Sequence, residues 1–233
     1  MIQIKIFAFN PLGTNCIVVW DDGGDTCAVA DPGIWRDEEA AELDAFLQEN
    51  SLTPDAILLT HGHFDHVWGV AALVRKRGCP VYMHPADGRM AHLGTALFPQ
   101  LSLGRDVERF DFIPLTDGRT LEAGGLSWEV IATPGHSPGS VSFYCADGGV
   151  LLSGDTLLSG SIGRSDLEGG DYDALIHSVM DRLMGLPGEV EVIPGHGPAT
   201  SIGREAMTNP FLIPFNEPDT DWWNDDPLSL DGR

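Results

Sequence analysis

The stretch Thr60-His61-Gly62-His63-Phe64-Asp65-His66 constrains this chain most, because three histidines and a carboxylate fall within six positions directly after the apolar run Ala56-Ile57-Leu58-Leu59. An imidazole is neutral near pH 7 and offers a nitrogen lone pair, while aspartate adds a hard anionic oxygen. That donor mixture suits zinc and similar divalent ions. If His61 and His63 leave a strand end in extended conformation, side chains two apart project to one side and both reach the same ion. Asp65 and His66 then fall where the apolar segment 67–74 opens a helix, which turns them toward a neighbouring position. One short loop can therefore feed two metals. A polar surface loop is the bland alternative, but only eight histidines occur in 233 residues and three of them sit here.

Three later loops each place a further candidate ligand after a strand-like run: His136 in Thr133-Pro-Gly-His-Ser-Pro-Gly139, Asp155 in Ser153-Gly-Asp-Thr156, and His196 in Pro194-Gly-His-Gly197. Glycine lets the backbone turn tightly round a crowded site, and loops at strand ends are where a rigid sheet presents chemistry. A lone Gly-His carries little information; three such loops beside the first cluster make an accidental set improbable. Asp31, in Asp31-Pro32-Gly33, ends another strand-like run. It reads either as a turn residue or as a carboxylate that orients a ligating histidine.

The hydrophobic pattern predicts strands over 1–9, 15–20 and 26–30, an amphipathic helix over 36–50, a strand over 56–59, a helix over 67–77 and a strand over 80–83. A helix-like piece follows from His84-Pro85 and contains His92; both histidines lack ligand company and read as structural or surface residues. Residues 93–106 have weak periodicity and are expected to form a loop beside the site. Short strands are then expected over 110–115, 120–121, 126–132, 140–145 and 150–152, a helix over 172–184 and a strand over 190–193. Two sheets with helices outside them satisfy the layer rules. No linker divides the chain, which is expected to form one domain over 1–208. The tail 209–233 holds four of the sixteen prolines, Phe211, Phe215, Trp222, Trp223 and an acidic run. It is expected to pack on the same domain or on a second subunit, the route to a homo-oligomer.

The formal net charge is −22, from 35 acidic against 13 basic residues, and the densest basic cluster is Arg75-Lys76-Arg77. Nucleic acid and anionic membranes are therefore not expected partners, since both are polyanions that require a basic surface. A small-molecule substrate is expected instead, and bound dications would reverse the local sign enough to admit an anionic one. The apolar runs are too short for a membrane span, and the alternating N-terminus lacks a signal peptide's apolar centre, so a cytoplasmic protein is expected. The four cysteines are scattered and read as buried free thiols.

Taken together, the order Asp31, His61-Gly-His63-Phe-Asp65-His66, His136, Asp155, His196 resembles the motif order of the metallo-β-lactamase superfamily, with every position filled. The resemblance covers about residues 1–200 and implies a mixed α/β (α+β) fold, a four-layer αβ/βα sandwich with a dinuclear site at one edge. It implies that His61, His63 and His136 hold the first of two divalent ions and that Asp65, His66 and His196 hold the second. Asp155 would bridge them and Asp31 would support the loop from behind. Zinc is the expected metal, with iron or manganese as alternatives. Residues 154–171 are similar to those of short bacterial glyoxalase II-like hydrolases, which implies hydrolysis of a small thioester such as an S-acylglutathione by a metal-bridging hydroxide, with Asp65 accepting a hydrogen bond from it. The C-terminal basic helical domain of glyoxalase II proper is not expected here, and Gly197-Pro198-Ala199-Thr200 stands where that family has a tyrosine after the last histidine. Arg164 is either an anion contact for the substrate or a structural partner of Asp166 or Asp171. A lactonase or β-lactamase would share the same ligands, a persulfide dioxygenase would use one iron on the same fold, and a non-enzymatic binding module is the third class.

Overall fold

The computed structural model describes residues 1–97 and 106–213. Its first half is a six-stranded sheet in the order β1-β2-β3-β4-β5-β6, with β1 (Ile2–Phe9), β2 (Thr14–Asp21) and β3 (Thr26–Ala30) antiparallel. Helix α1 (Asp37–Glu49) then crosses over, and β4 (Thr53–Leu58) joins β3 in parallel. The metal loop runs into a single turn, α2 (Phe64–Val67), followed by α3 (Val70–Arg77), which ends at Gly78 in the left-handed region. Strand β5 (Val81–Met83), helix α4 (Gly88–Leu97) and β6 (Ile113–Pro114) complete this half, with β5 and β6 parallel to β4.

The second sheet has the order β14-β13-β10-β9-β8-β7. It contains β7 (Thr120–Ala123), β8 (Leu126–Ala132), β9 (Val141–Cys145) and β10 (Val150–Gly154), a run of antiparallel pairs. A small hairpin, β11 (Leu157–Leu158) and β12 (Ser161–Ile162), precedes α5 (Tyr172–His177), whose winding widens to a π-helix over Ser178–Leu183. Strand β13 (Glu191–Pro194) pairs parallel to β10, and β14 (Thr200–Ser201) leads into α6 (Ile202–Thr208).

Period-two alternation explains how the sheets stack. In β2, Ile17 and Val19 face the second sheet and pack with Ala28, Leu58, Trp128, Val130, Phe143, Leu152 and Ile193. The alternate residues Cys16 and Val18 face outward, where Leu43 and Leu47 of α1 and Val70 and Leu73 of α3 cover them. On the far side Ile131, Leu151 and Val192 meet Leu175, Val179, Leu183 and Ile202. The result is the four-layer αβ/βα sandwich. All four cysteines are buried and free, and among the described residues no helix is long and apolar enough to cross a membrane.

The expected loop over 93–106 is corrected in part, because α4 continues to Leu97. Gly94 interrupts the apolar periodicity there, so the pattern fades before the helix does. Residues 98–105 lie outside the described residues. His84 caps the turn ahead of α4 by accepting from the Ala86 N–H, and His92 sits edge-on to Phe110 at 5.5 Å, so both are structural. Of the tail, 209–213 is described: Asn209 and Leu212 are buried, and the Asn209 amide donates to the Ser161 carbonyl. Phe215, Trp222 and Trp223 lie outside the described residues.

Gly124 and Gly125 form the two-residue turn between β7 and β8, with φ of 62° and 69°. A Cβ at Gly124 would lie 2.6 Å from the Val19 carbonyl oxygen, whereas one at Gly118, with φ of 71°, meets nothing within 4 Å. Gly118→Ala is expected to cost roughly 1–2 kcal/mol for the left-handed backbone alone. Gly124→Ala should cost about 1–3 kcal/mol more through overpacking between the sheets. Urea midpoints of the two variants check this, and equal midpoints would contradict the packing.

Candidate metal centre

Five strands deliver the predicted residues to one edge. Asp31 follows β3, the His61 loop follows β4, the His136 loop follows β8, Asp155 follows β10 and His196 follows β13. Strands β3 and β4 are parallel, as are β10 and β13, and β8 runs in the direction of β10 through two antiparallel steps. Their C-terminal ends therefore share an edge in each sheet. Backbone bonds tie the two edges together: the Val141 N–H donates to the Thr60 carbonyl at 2.8 Å, and the Asn15 N–H to the Gly195 carbonyl at 2.7 Å.

Ligand atoms of His61, His63 and His136 lie within 4.8 Å of one another, and so do those of Asp65, His66 and His196. His63 Nδ1 is 2.8 Å from His136 Nε2 in the first group. In the second, His196 Nε2 is 3.3 Å from both His66 Nε2 and Asp65 Oδ2. Asp155 lies between the groups, with Oδ2 3.4 Å from His136 Nε2 and 3.6 Å from His196 Nε2 and with Oδ1 3.7 Å from His66 Nε2. Every one of the seven residues named from the sequence thus arrives at one place. Six are nearly or fully inaccessible, while the His196 side chain keeps 27 % of its exposure and marks the open side.

The outer nitrogens of three rings are tied down so that the inner lone pairs converge. The Arg164 carbonyl can only accept, so His136 Nδ1, 2.6 Å away, carries the proton and Nε2 keeps its lone pair. Asp31 Oδ2 accepts from His66 Nδ1 at 3.0 Å and from Thr60 Oγ1 at 2.6 Å, while Oδ1 accepts from the Thr60 N–H. With its hydroxyl proton given to Asp31, Thr60 Oγ1 is left to accept from His61 Nδ1 at 3.0 Å. His61 Nε2 and Asp155 Oδ1 remain buried with no hydrogen-bond partner among the described residues. Orphaned lone pairs of this kind cost free energy unless something positive meets them. Neutral imidazoles, carboxylates and converging lone pairs fit divalent ions.

Burial, reinforced by His66, pushes His61 well below the ordinary histidine value, and burial with His136 takes His63 down to about 3. His61 and His63 are therefore neutral and ready to ligate at pH 7. The second group differs. Burial opposes the charge on His66, but Asp65, Asp155 and Asp31 overcome it and raise the ring to about 10. His196 is likewise raised, against burial, by Asp65 and Asp155. Burial alone would raise Asp65, yet His66 and His196 hold it below the usual carboxylate range. In the metal-free chain, protons thus occupy the place where a cation would compensate the carboxylates.

Several residues at the site had no signal in the sequence. Thr14 Oγ1 donates to Asp65 Oδ2 at 2.8 Å, and Asn10 Nδ2 donates to the Asp65 and Gly33 carbonyls. Asn15 Nδ2 donates to the Pro194 and Gly197 carbonyls on either side of His196. All three stand in the turn after β1 and at the start of β2, away from the glycine-flanked histidine and aspartate loops. The Arg164 guanidinium forks the Asp166 carboxylate at 2.7 and 2.9 Å in the open, while Asp171 caps α5. Its contribution to the centre is the carbonyl that orients His136.

The sequence model of the metallo-beta-lactamase superfamily matches residues 9–196. The chain belongs to the metallo-beta-lactamase superfamily. Among curated members it is 34 % identical over 220 residues to hydroxyacylglutathione hydrolase GloC of Haemophilus influenzae, covering 90 % of this chain and 98 % of that one. Among solved structures of the superfamily, the B3 metallo-beta-lactamase BLEG-1 superposes with a TM-score of 0.80 at 40 % identity, over 90 % of this chain and 99 % of that chain. A protein crystallised in a di-iron-bound form gives 0.80 at 41 % identity, over 89 % and 100 %.

The two groups should answer pH differently when metal is added. Metal takes the unprotonated ring, so the proton held on His66 up to about pH 10 competes with metal for the second group. Affinity there is expected to climb from pH 6 to pH 9, by up to about tenfold per unit for each proton displaced. His61 and His63 hold no proton to displace over that range and add no such dependence to the first group. Zinc titration against a chelator at several pH values measures both, and a pH-independent second site would contradict the electrostatics.

Proposed function

We propose that this chain hydrolyses a small thioester, giving an acid and a thiol, at the two adjacent His/Asp groups. The observation that carries the reading is Asp155: one largely buried carboxylate lies within 3.7 Å of ring nitrogens from both groups, and its Oδ1 lacks a hydrogen-bond partner among the described residues. His61, His63 and His136 would hold one divalent ion and Asp65, His66 and His196 the other, with Asp155 offering an oxygen to each. Two ions so held would lower the pKa of a shared water and polarise the scissile carbonyl.

The chain's own residues supply the rest. Asp65 is ionised, and Thr14 fixes Oδ2, so its carboxylate can accept a hydrogen bond from the attacking water and aim it. Hydrogen bonds from the Asn15 side-chain amide hold the His196 loop at the open side, where a substrate would enter. A departing thiolate is stable enough to leave without a strong general acid. Thioester as substrate is supported by the hydroxyacylglutathione hydrolase relative. A second reading, β-lactam hydrolysis, is supported by the B3 metallo-beta-lactamase neighbour. Iron in place of zinc is supported by the di-iron neighbour.

Elemental analysis joined to a thioester, lactone and β-lactam panel on one preparation separates these readings. Two divalent ions per chain and turnover of thioesters in preference to the others are expected. Loss of partners that merely orient metal ligands costs about 10–100-fold, so His63→Ala and Asp155→Ala should each lower kcat/KM by more than about 100-fold. Wild-type hydrolysis by either variant, or one iron per chain with oxygen consumption, would overturn the proposal.

A further inference from the structure

Asp87 stands after β5 in the single turn Pro85–Asp87, directly ahead of α4, where an aspartate ordinarily accepts from the N–H groups of its own helix. Its carboxylate turns elsewhere. Oδ2 accepts from the Gly62 N–H at 2.8 Å and from Ser137 Oγ at 2.7 Å, and Oδ1 accepts from the Gly139 N–H at 2.7 Å. Gly62 lies between His61 and His63, and Ser137 follows His136. One carboxylate, 0 % exposed, thus joins the two loops that carry the first group, although 73 residues separate His63 from His136.

Both loops are shaped to receive it. A Cβ at Gly62 would lie 2.9 Å from the Asp87 Cβ, and one at Gly139 would lie 2.6 Å from its Cγ and Oδ1. Any side chain at either position would expel the carboxylate. The second group has its own support in Asp31 and Thr14, on different elements. Asp31 reaches the first group as well, but only at His61 and through Thr60, whereas Asp87 bonds both of its loops directly.

We propose that Asp87 is a positioning residue for the His61, His63 and His136 group, setting the spacing at which three rings converge on one ion, and that it leaves the Asp65, His66 and His196 group untouched. The inference rests on the metal-centre reading above. Asp87→Asn keeps the shape but places an NH2 against the Gly62 or Gly139 N–H, since each carboxylate oxygen faces one of those donors.

Zinc binding to metal-free protein, read by chelator competition, tests it in two backgrounds: His196→Ala, which leaves the first group whole, and His136→Ala, which leaves the second. Asp87→Asn is expected to weaken zinc about 10–100-fold in the His196→Ala background and to leave affinity unchanged in the His136→Ala background. Should that variant not fold, Ser137→Ala removes one donor and keeps the buried carboxylate, with a smaller loss expected in the same background only. Equal losses in both backgrounds, as general destabilisation would give, or no loss in either, overturn the proposal. A wild-type chain that takes up no zinc overturns the metal-centre reading itself, which sets that failure apart.

Discussion

A cluster of imidazoles and carboxylates held out of water at one edge of two sheets is the constraint on which the rest of the structure depends. Burying such groups costs several kcal/mol each unless charge and hydrogen bonds compensate them. The outer atoms are compensated by the fold: Asp31 by Thr60 and His66, His136 by the Arg164 carbonyl, Asp65 by Thr14. The inner atoms are left facing one another. A fold that satisfies the backs of three rings and leaves their fronts bare is organised for a cation in front.

This division explains the position of the site at the seam. Neither sheet alone supplies both groups: His61, His63, Asp65 and His66 come from the first, His136, Asp155 and His196 from the second. The inter-sheet core around Trp128 and Phe143 sets the separation, and the bonds from Val141 to Thr60 and from Asn15 to Gly195 set the register at the edge. Gly195 shows how little slack remains, since a Cβ there would sit 2.2 Å from Asp155 Oδ1. Stability of the sandwich and geometry of the centre are therefore the same problem seen at two depths.

The candidate ligands were legible in the sequence because His61, His63, His136, Asp155 and His196 each follow a strand and stand beside glycine, with Asp65 and His66 directly after His63 and Phe64, a local pattern that survives without knowledge of contacts. The strands of both sheets other than β14, and helix α1, were legible for the same reason, their periodicity being local. What holds the ligands was not. Thr14 and Asp65 are 51 positions apart, and Asp87 meets Gly139 across 52. Neither Thr14 nor Asp87 belongs to a motif that marks it in the sequence. Short elements escaped as well: α6 has seven residues and β11 and β12 two each, too few for a period to register. The side chain of Arg164, legible as a cation near the site, pairs outward with Asp166, while the atom that matters to the centre is its carbonyl, which no sequence pattern marks.

Anomalous diffraction from crystals of the metal-loaded chain tests the central claim most directly. The account predicts two peaks, one among His61 Nε2, His63 Nδ1 and His136 Nε2 and the other among Asp65, His66 Nε2 and His196 Nε2, with Asp155 between them. A single peak, or metal bound away from these atoms, would contradict it.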